Sequence, residues 1–153
     1  MVLFMDEGSP VRKRLYHSVP EWVSPGAQFF ITINAGKRGS NELCSDAVAG
    51  QMIESVEVYQ RKGLWWMHLF LVMPDHVHFI ASFPDNEFTS VVKTWKGYHA
   101  RHSGVSWQSG FFDHRLRNID EVDEKASYIR QNPVRGGLVE DDMLWPYVWS
   151  QEG

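Results

Sequence analysis

Cysteine is almost missing from this chain: Cys44 is the single thiol among 153 residues. One thiol cannot close an intrachain disulfide, so a reducing compartment, the cytoplasm, is expected. No run of about eighteen apolar residues occurs, so no segment is expected to span a membrane as a helix. The opening Met1 to Met5 turns acidic at Asp6 and Glu7 without a basic start, which does not fit a secretory signal. Internal repeats and low-complexity tracts are absent as well. A basic excess is also lacking: the net charge is −4, which by itself argues mildly against a phosphate-rich partner. The acid is unevenly placed, however. Residues 119–153 carry a net −5, leaving +1 for residues 1–118, so overall charge does not decide the partner.

What is present is enough apolar material for one core: 43% hydrophobic and 14% aromatic residues over a single-domain length. Residues 1–26 contain Pro10, Pro20, Pro25 and Gly26 and are expected to form an irregular arm, with one domain over residues 27–153. Gln28 to Asn34 is rich in β-branched and aromatic residues and predicts a first strand. Ser45 or Asp46 can cap a helix to about Lys62, in which Val48, Met52, Ile53, Val56 and Tyr59 recur at helical spacing. Leu64 to Met73 and His76 to Phe83 predict two strands joined by a tight Pro74-Asp75 turn, hence an antiparallel hairpin. A second helix is expected from Glu87 to about His102, a fourth strand at Phe111 to Leu116, and a third helix capped by Asp120, running through Asn132 and stopped by Pro133. The order β-α-β-β-α-β-α predicts an α+β fold of ferredoxin-like βαββαβ type. It comprises an antiparallel four-stranded sheet with two helices on one face, plus an added C-terminal helix.

The chemistry concentrates in two places. In His76-Val77-His78, positions i and i+2 of a strand face the same way, so two imidazoles stand side by side, half of a divalent metal site. An isolated HxH is a short pattern that often has no function. Here it lies on a strand apolar enough to be central, where two same-face histidines without a use are unusual. In the third helix, Tyr128 and Asn132 are at i and i+4 and share a face. A tyrosine can serve as a covalent nucleophile, and an amide oxygen can add a hard metal ligand. Of the five tyrosines, only Tyr128 shares a helix face with a candidate ligand.

Four runs carry a family resemblance: 71–78 (LVMPDHVH), 93–98 (KTWKGY), 107–117 (WQSGFFDHRLR) and 128–139 (YIRQNPVRGGLV). Together with Pro20-Glu21-Trp22-Val23 at the start and the segment 145–150 (WPYVWS) at the close, they resemble the REP-associated tyrosine transposases. These are bacterial relatives of the single-tyrosine HUH insertion-sequence transposases. HxH followed about fifty residues later by Y-I-x-x-N-P is the specific part of the match. The resemblance implies Mg²⁺ or Mn²⁺ held by His76 and His78. The polar residue four positions after the tyrosine, Asn132, would be the third ligand, and Gln131 is a lesser candidate for that place. It implies Tyr128 as the nucleophile, forming a 5′-phosphotyrosine link on single-stranded DNA beside a hairpin such as a repetitive extragenic palindrome. It further implies a nucleoid-associated enzyme acting as a single chain, with a dimer as the alternative.

Supporting roles are assigned by charge. Lys93, Lys96 and Arg101 on the second helix and Arg115 and Arg117 around the fourth strand are candidate phosphate contacts. Arg12, Lys13 and Arg14 could form a basic arm on the DNA hairpin. Trp65, Trp66 and Trp95 are expected in the core, and His114 is expected to be structural. Two other function classes compete. A binding module for single-stranded nucleic acid would show aromatics where this strand shows histidines. A closed zinc site would need four N or S ligands, and Cys44 is distant from the pair.

Overall fold

A computed structural model describes residues 20, 22–23, 28–84 and 87–151. The expected irregular arm therefore lies almost wholly outside the described residues. The order is β1 (Gln28–Asn34), α1 (Asp46–Arg61), β2 (Trp66–Met73), β3 (His76–Ser82), α2 (Phe88–His102), β4 (Phe112–Leu116), α3 (Ile119–Arg130), α4 (Asn132–Arg135), a 3₁₀ turn (Asp142–Leu144) and β5 (Val148–Ser150). The strands form one antiparallel sheet in the order β4-β1-β3-β2-β5.

The fold is therefore α+β, with a sheet of five strands instead of the expected four. The additional strand comes from the aromatic closing segment. Its backbone pairs with β2, Trp145 Nε1 donates to the Val72 carbonyl at 3.0 Å, and Trp149 Nε1 donates to Glu57 of α1 at 3.1 Å. The segment thus satisfies the outer edge of β2 and straps it to α1, which leaves fewer backbone groups unpaired.

Two cores lie on opposite faces of the sheet, separated by strand alternation. On one face Ile31, Ile33, Phe70, Val77, Phe79 and Ala81 pack beneath α1 and α2 with Met52, Val56, Val92, Trp65 and Trp95. On the other, Phe30, Leu69, Leu71, Met73 and Ile80 meet Val122 and Ile129 of α3. A register shift between Met67 and Leu69 adds one residue to β2, so these two face different cores although they are two apart. Trp65 and Trp95 are fully buried as expected, and Trp66 is half-buried. Between the two helices Ser55 collects three hydrogen bonds: its hydroxyl donates to the Met52 carbonyl, accepts from Trp95 Nε1 at 2.9 Å and meets His99 Nε2 at 3.1 Å.

The helix ends explain how the second face is furnished. α1 is capped by Ser45, whose hydroxyl accepts from Val48 N–H, and it gives way at Lys62 to Gly63, which holds φ +74. α3 is capped by Asn118, not by Asp120: Asn118 Oδ1 accepts from Glu121 N–H at 2.9 Å, while Glu121 Oε1 accepts from Arg117 N–H at 2.7 Å. Asn followed three residues later by Glu satisfies free N–H groups reciprocally, which Asp120, already inside the helix, cannot do. At its other end α3 stops at Arg130 and not at Asn132. Pro133 does not end helical structure. It occupies the first turn of α4, where its missing N–H is no loss.

Removing the α3 cap by Asn118→Ala should lower unfolding free energy by about 1 kcal/mol, measured by urea denaturation, without altering sheet content in circular dichroism. A second expectation concerns pH. Burial first, and then the charge of His102, lowers His99 to a pKa of about 4, from the ordinary 6.5. The unfolded chain therefore binds a proton that the folded chain refuses. This contribution is complete above pH 6.5 and is lost as pH falls toward 4. His99→Gln should flatten that part of the stability–pH curve.

Candidate active site

Strand alternation places His76 and His78 on the α3 side, opposite Asn34 and Thr32 of β1 and Met73 and Leu71 of β2. Their ring centroids are 4.5 Å apart. Each ring is held through Nδ1. Thr32 Oγ1 lies 2.9 Å from Nδ1 of His78, and Asp75 Oδ1 lies 2.7 Å from Nδ1 of His76. With Nδ1 engaged in this way, Nε2 is the ring nitrogen left on each imidazole for a further partner. For His76 that partner is Asn132, whose amide nitrogen is 3.4 Å from Nε2. Rotating the amide by half a turn brings its oxygen to the same place.

The electrostatics keep His78 able to donate electron density. His78 is lowered to a pKa of about 3, first by burial and then by the Coulombic influence of His76, Arg135 and Lys125, so it is neutral at ordinary pH. Burial pushes the Asp75 carboxyl up, but the Gly39 N–H, at 2.8 Å, and His76 outweigh this and hold it below its ordinary value. Asp75 is thus an ionised anchor behind His76. A cavity of about 300 Å³ opens in front of the pair, lined by Thr32, Asn34, Ala35, Arg38, Asp75, His76, His78 and Gln108.

Among the described residues no three His, Cys, Asp or Glu side chains form a metal-holding group. The donor set is two imidazoles and one amide, with Asp75 and Thr32 behind the rings. Imidazoles with fixed outer hydrogen bonds and an amide oxygen suit a divalent cation that keeps part of its shell for water or substrate. Gln131 points elsewhere: its amide donates to Asp142 Oδ2 at 2.7 Å.

Tyr128 lies on α3 with half of its surface exposed. The Arg135 guanidinium carbon is 4.0 Å from the ring centroid, and Lys125 Nζ is 4.9 Å from it. Lys125 Nζ also stands 4.7 Å from the Phe30 ring, which in turn lies 5.4 Å from the His78 ring. A second cavity, of about 390 Å³, is lined by Tyr128, Lys125, Glu121, Glu124, Leu116 and His114. His114 is therefore exposed beside the tyrosine, where the sequence suggested a structural residue.

The structure does not gather the other basic candidates around this site. α2 covers the opposite face of the sheet, and with it Lys93, Lys96 and Arg101. Lys96 Nζ donates to the Gln108 and Gly110 carbonyls at 2.9 and 2.6 Å, which fixes the loop before β4. Arg115 pairs with Phe29, on the α2 side of β4, and Arg117 is exposed past the end of that strand. Arg12, Lys13 and Arg14 lie outside the described residues. Asp75, Thr32, Lys125 and Arg135 went unnoticed in the sequence. Asp75 and Thr32 were accessible in principle, one being adjacent to the histidines and the other on the strand expected to pair with them.

No family model matches the chain. A REP-associated tyrosine transposase of Escherichia coli (strain K12) is 28% identical over 127 residues, covering 80% of this chain and 75% of the relative. A solved structure of a REP-associated tyrosine transposase bound to a REP hairpin superposes with a TM-score of 0.70 at 26% identity. That match covers 86% of this chain and 81% of the other.

Proposed function

The chain belongs with the REP-associated tyrosine transposases, and from that premise we propose that it is a metal-dependent single-strand DNA endonuclease and strand transferase. It would act beside hairpins such as repetitive extragenic palindromes, in the bacterial cytoplasm on nucleoid DNA. The observation that carries this reading is the convergence of His76, His78 and Asn132 on one face of the sheet, under the helix of the same chain that bears Tyr128. The strand order β4-β1-β3-β2 with α1 and α2 on one face supports a ferredoxin-like reading of the frame, to which β5 is added.

His76 and His78 through Nε2 and Asn132 through its amide oxygen would hold Mg²⁺ or Mn²⁺. When bound, such an ion polarises the scissile phosphate and offsets charge on its oxygens. The chain supplies the remainder. Tyr128 Oη attacks phosphorus in line, a phosphotyrosine O–P bond forms, and the P–O3′ bond to the preceding nucleotide breaks. The phenolic proton leaves to solvent and the departing 3′-oxygen gains one, which yields a free 3′-OH. The new ester retains the energy of the old one, so a second 3′-OH can attack it, release Tyr128 and join a new strand without ATP. Attack from the chain that also holds the histidines is favoured by the packing of α3 on that chain's own sheet.

With a labelled single-stranded hairpin and Mn²⁺, the protein should give a covalent adduct that survives a denaturing gel. Tyr128→Phe should bind the hairpin and give none, and His76→Ala/His78→Ala should lose cleavage while keeping the fold. Mixing Tyr128→Phe with His76→Ala should restore nothing. An adduct mapped to another tyrosine would falsify the nucleophile assignment, and activity in the mixture would replace the single-chain site by a shared one. Asp75 offers a finer check on the metal. Asp75→Asn should weaken Mn²⁺ affinity by about 10–100-fold in titration calorimetry, since the anchor of His76 loses its charge. Unchanged affinity would remove His76 from the ligand set.

A further inference from the structure

We infer that Arg135 and Lys125 form a two-cation holding site in which Arg135 fixes the Tyr128 ring and Lys125 receives the phosphate that Tyr128 attacks. The inference rests on the nucleophile reading above and names residues which that reading leaves unused.

Arg135 makes two contacts with one residue. Its guanidinium carbon stands 4.0 Å from the Tyr128 ring centroid, and its Nη2 donates to the Tyr128 carbonyl at 2.9 Å. On an unbroken helix, residues seven apart share a face but sit about 10 Å apart along the axis. α3 ends at Arg130 and α4 begins at Asn132, and from α4 the Arg135 side chain reaches back to the tyrosine. Asn132, the first residue of α4, lies at His76. This four-residue helix thus supplies both the third candidate ligand and the clamp on the nucleophile.

An exposed tyrosine on a helix has several rotamers open to it, and attack in line accepts few of them. A planar guanidinium stacked on the ring and tied to the backbone narrows that choice before substrate arrives. Arg135 is therefore a positioning residue. Lys125 has a different place. Its ammonium lies against the rings of both Tyr128 and Phe30, and Phe30 borders His78, so the charge stands between the nucleophile and the histidine pair. A phosphate bridging those two groups must occupy the same region.

Among the described residues, Arg135 and Lys125 make no ion pair with a carboxylate, although Glu121 and Glu124 line the adjoining cavity. Two unpaired cations beside a nucleophile match the dianionic character of a phosphodiester under attack. As the Oη–P bond forms and the P–O3′ bond breaks, Lys125 faces the oxygens on which charge collects.

The test uses the full chain labelled with 3-fluorotyrosine, with the Tyr128 fluorine resonance assigned by its loss in Tyr128→Phe. Arg135→Ala and Arg135→Lys should both move that resonance toward the value of the free amino acid and leave the others in place, because Lys keeps the charge but not the planar stack. In single-turnover adduct formation with Mn²⁺, both should slow the reaction by about tenfold or more while hairpin affinity stays within about threefold. Lys125→Ala should slow the reaction too, and Lys125→Arg should recover most of the rate. An unmoved Tyr128 resonance in Arg135→Ala overturns the clamp, and so does a rate loss matched by an equal loss of affinity. Full rate in Lys125→Ala overturns the phosphate contact. A wild-type chain that gives no adduct defeats the nucleophile reading, and the fluorine spectra then still decide whether Arg135 holds the ring.

Discussion

In an extended strand neighbouring side chains leave by opposite faces, and along His76–Ser82 that geometry divides the molecule in two. Val77, Phe79 and Ala81 enter the larger core beneath α1 and α2, while His76, His78 and Ile80 face α3. A slip of one residue would drive two imidazoles into the apolar core and turn three core residues outward. The register is therefore held by the cost of that exchange, and the short turn at Pro74-Asp75 pins it. Everything on the functional face inherits its position from this division: Thr32 and Asn34 by pairing across β1, α3 by packing on Phe30 and Ile80, and Asn132 by following α3.

The charges on this face are arranged by proximity more than by number. Although residues 119–153 are net acidic, Lys125 and Arg135 turn toward the histidines strongly enough to help keep His78 neutral. Asp75 turns its carboxylate onto His76 from behind. The surroundings of the pair are thus cationic in front and anionic behind, in a chain whose overall balance is negative. A net charge sums over the whole surface and carries no information about such a gradient.

This also explains what could be read from the sequence. The shared face of the two histidines, the helix that bears Tyr128 and the two-faced hairpin were legible because each depends on a local period: two in the strand, between three and four in the helix. The first helix was legible for the same reason, with its cap narrowed to Ser45 or Asp46, of which the structure shows Ser45. β5 was not, since three residues after Pro146 are too few to show alternation, and their pairing depends on the open edge of β2. α4 was hidden by the ordinary expectation that proline ends a helix. That the basic residues of α2 would stand on the face opposite the histidines was not legible, because a sequence does not reveal which face of the sheet a helix will cover. The contact of Arg135 with Tyr128 was invisible because it joins α4 to α3, a division that the sequence pattern did not disclose.

The sheet ends on β4, five residues long, and on β5, three residues long. Another chain seeking to extend the sheet finds a short ladder at either margin, too short to offset the entropy of aligning two molecules. Among the described residues, the sheet is thus terminated as a structural element on both sides. Self-association would have to draw on side-chain surfaces, such as the exposed Met143 and Leu144, and strand margins would contribute little to it. The closing segment therefore acts as a boundary to lateral growth as well as a cover for β2.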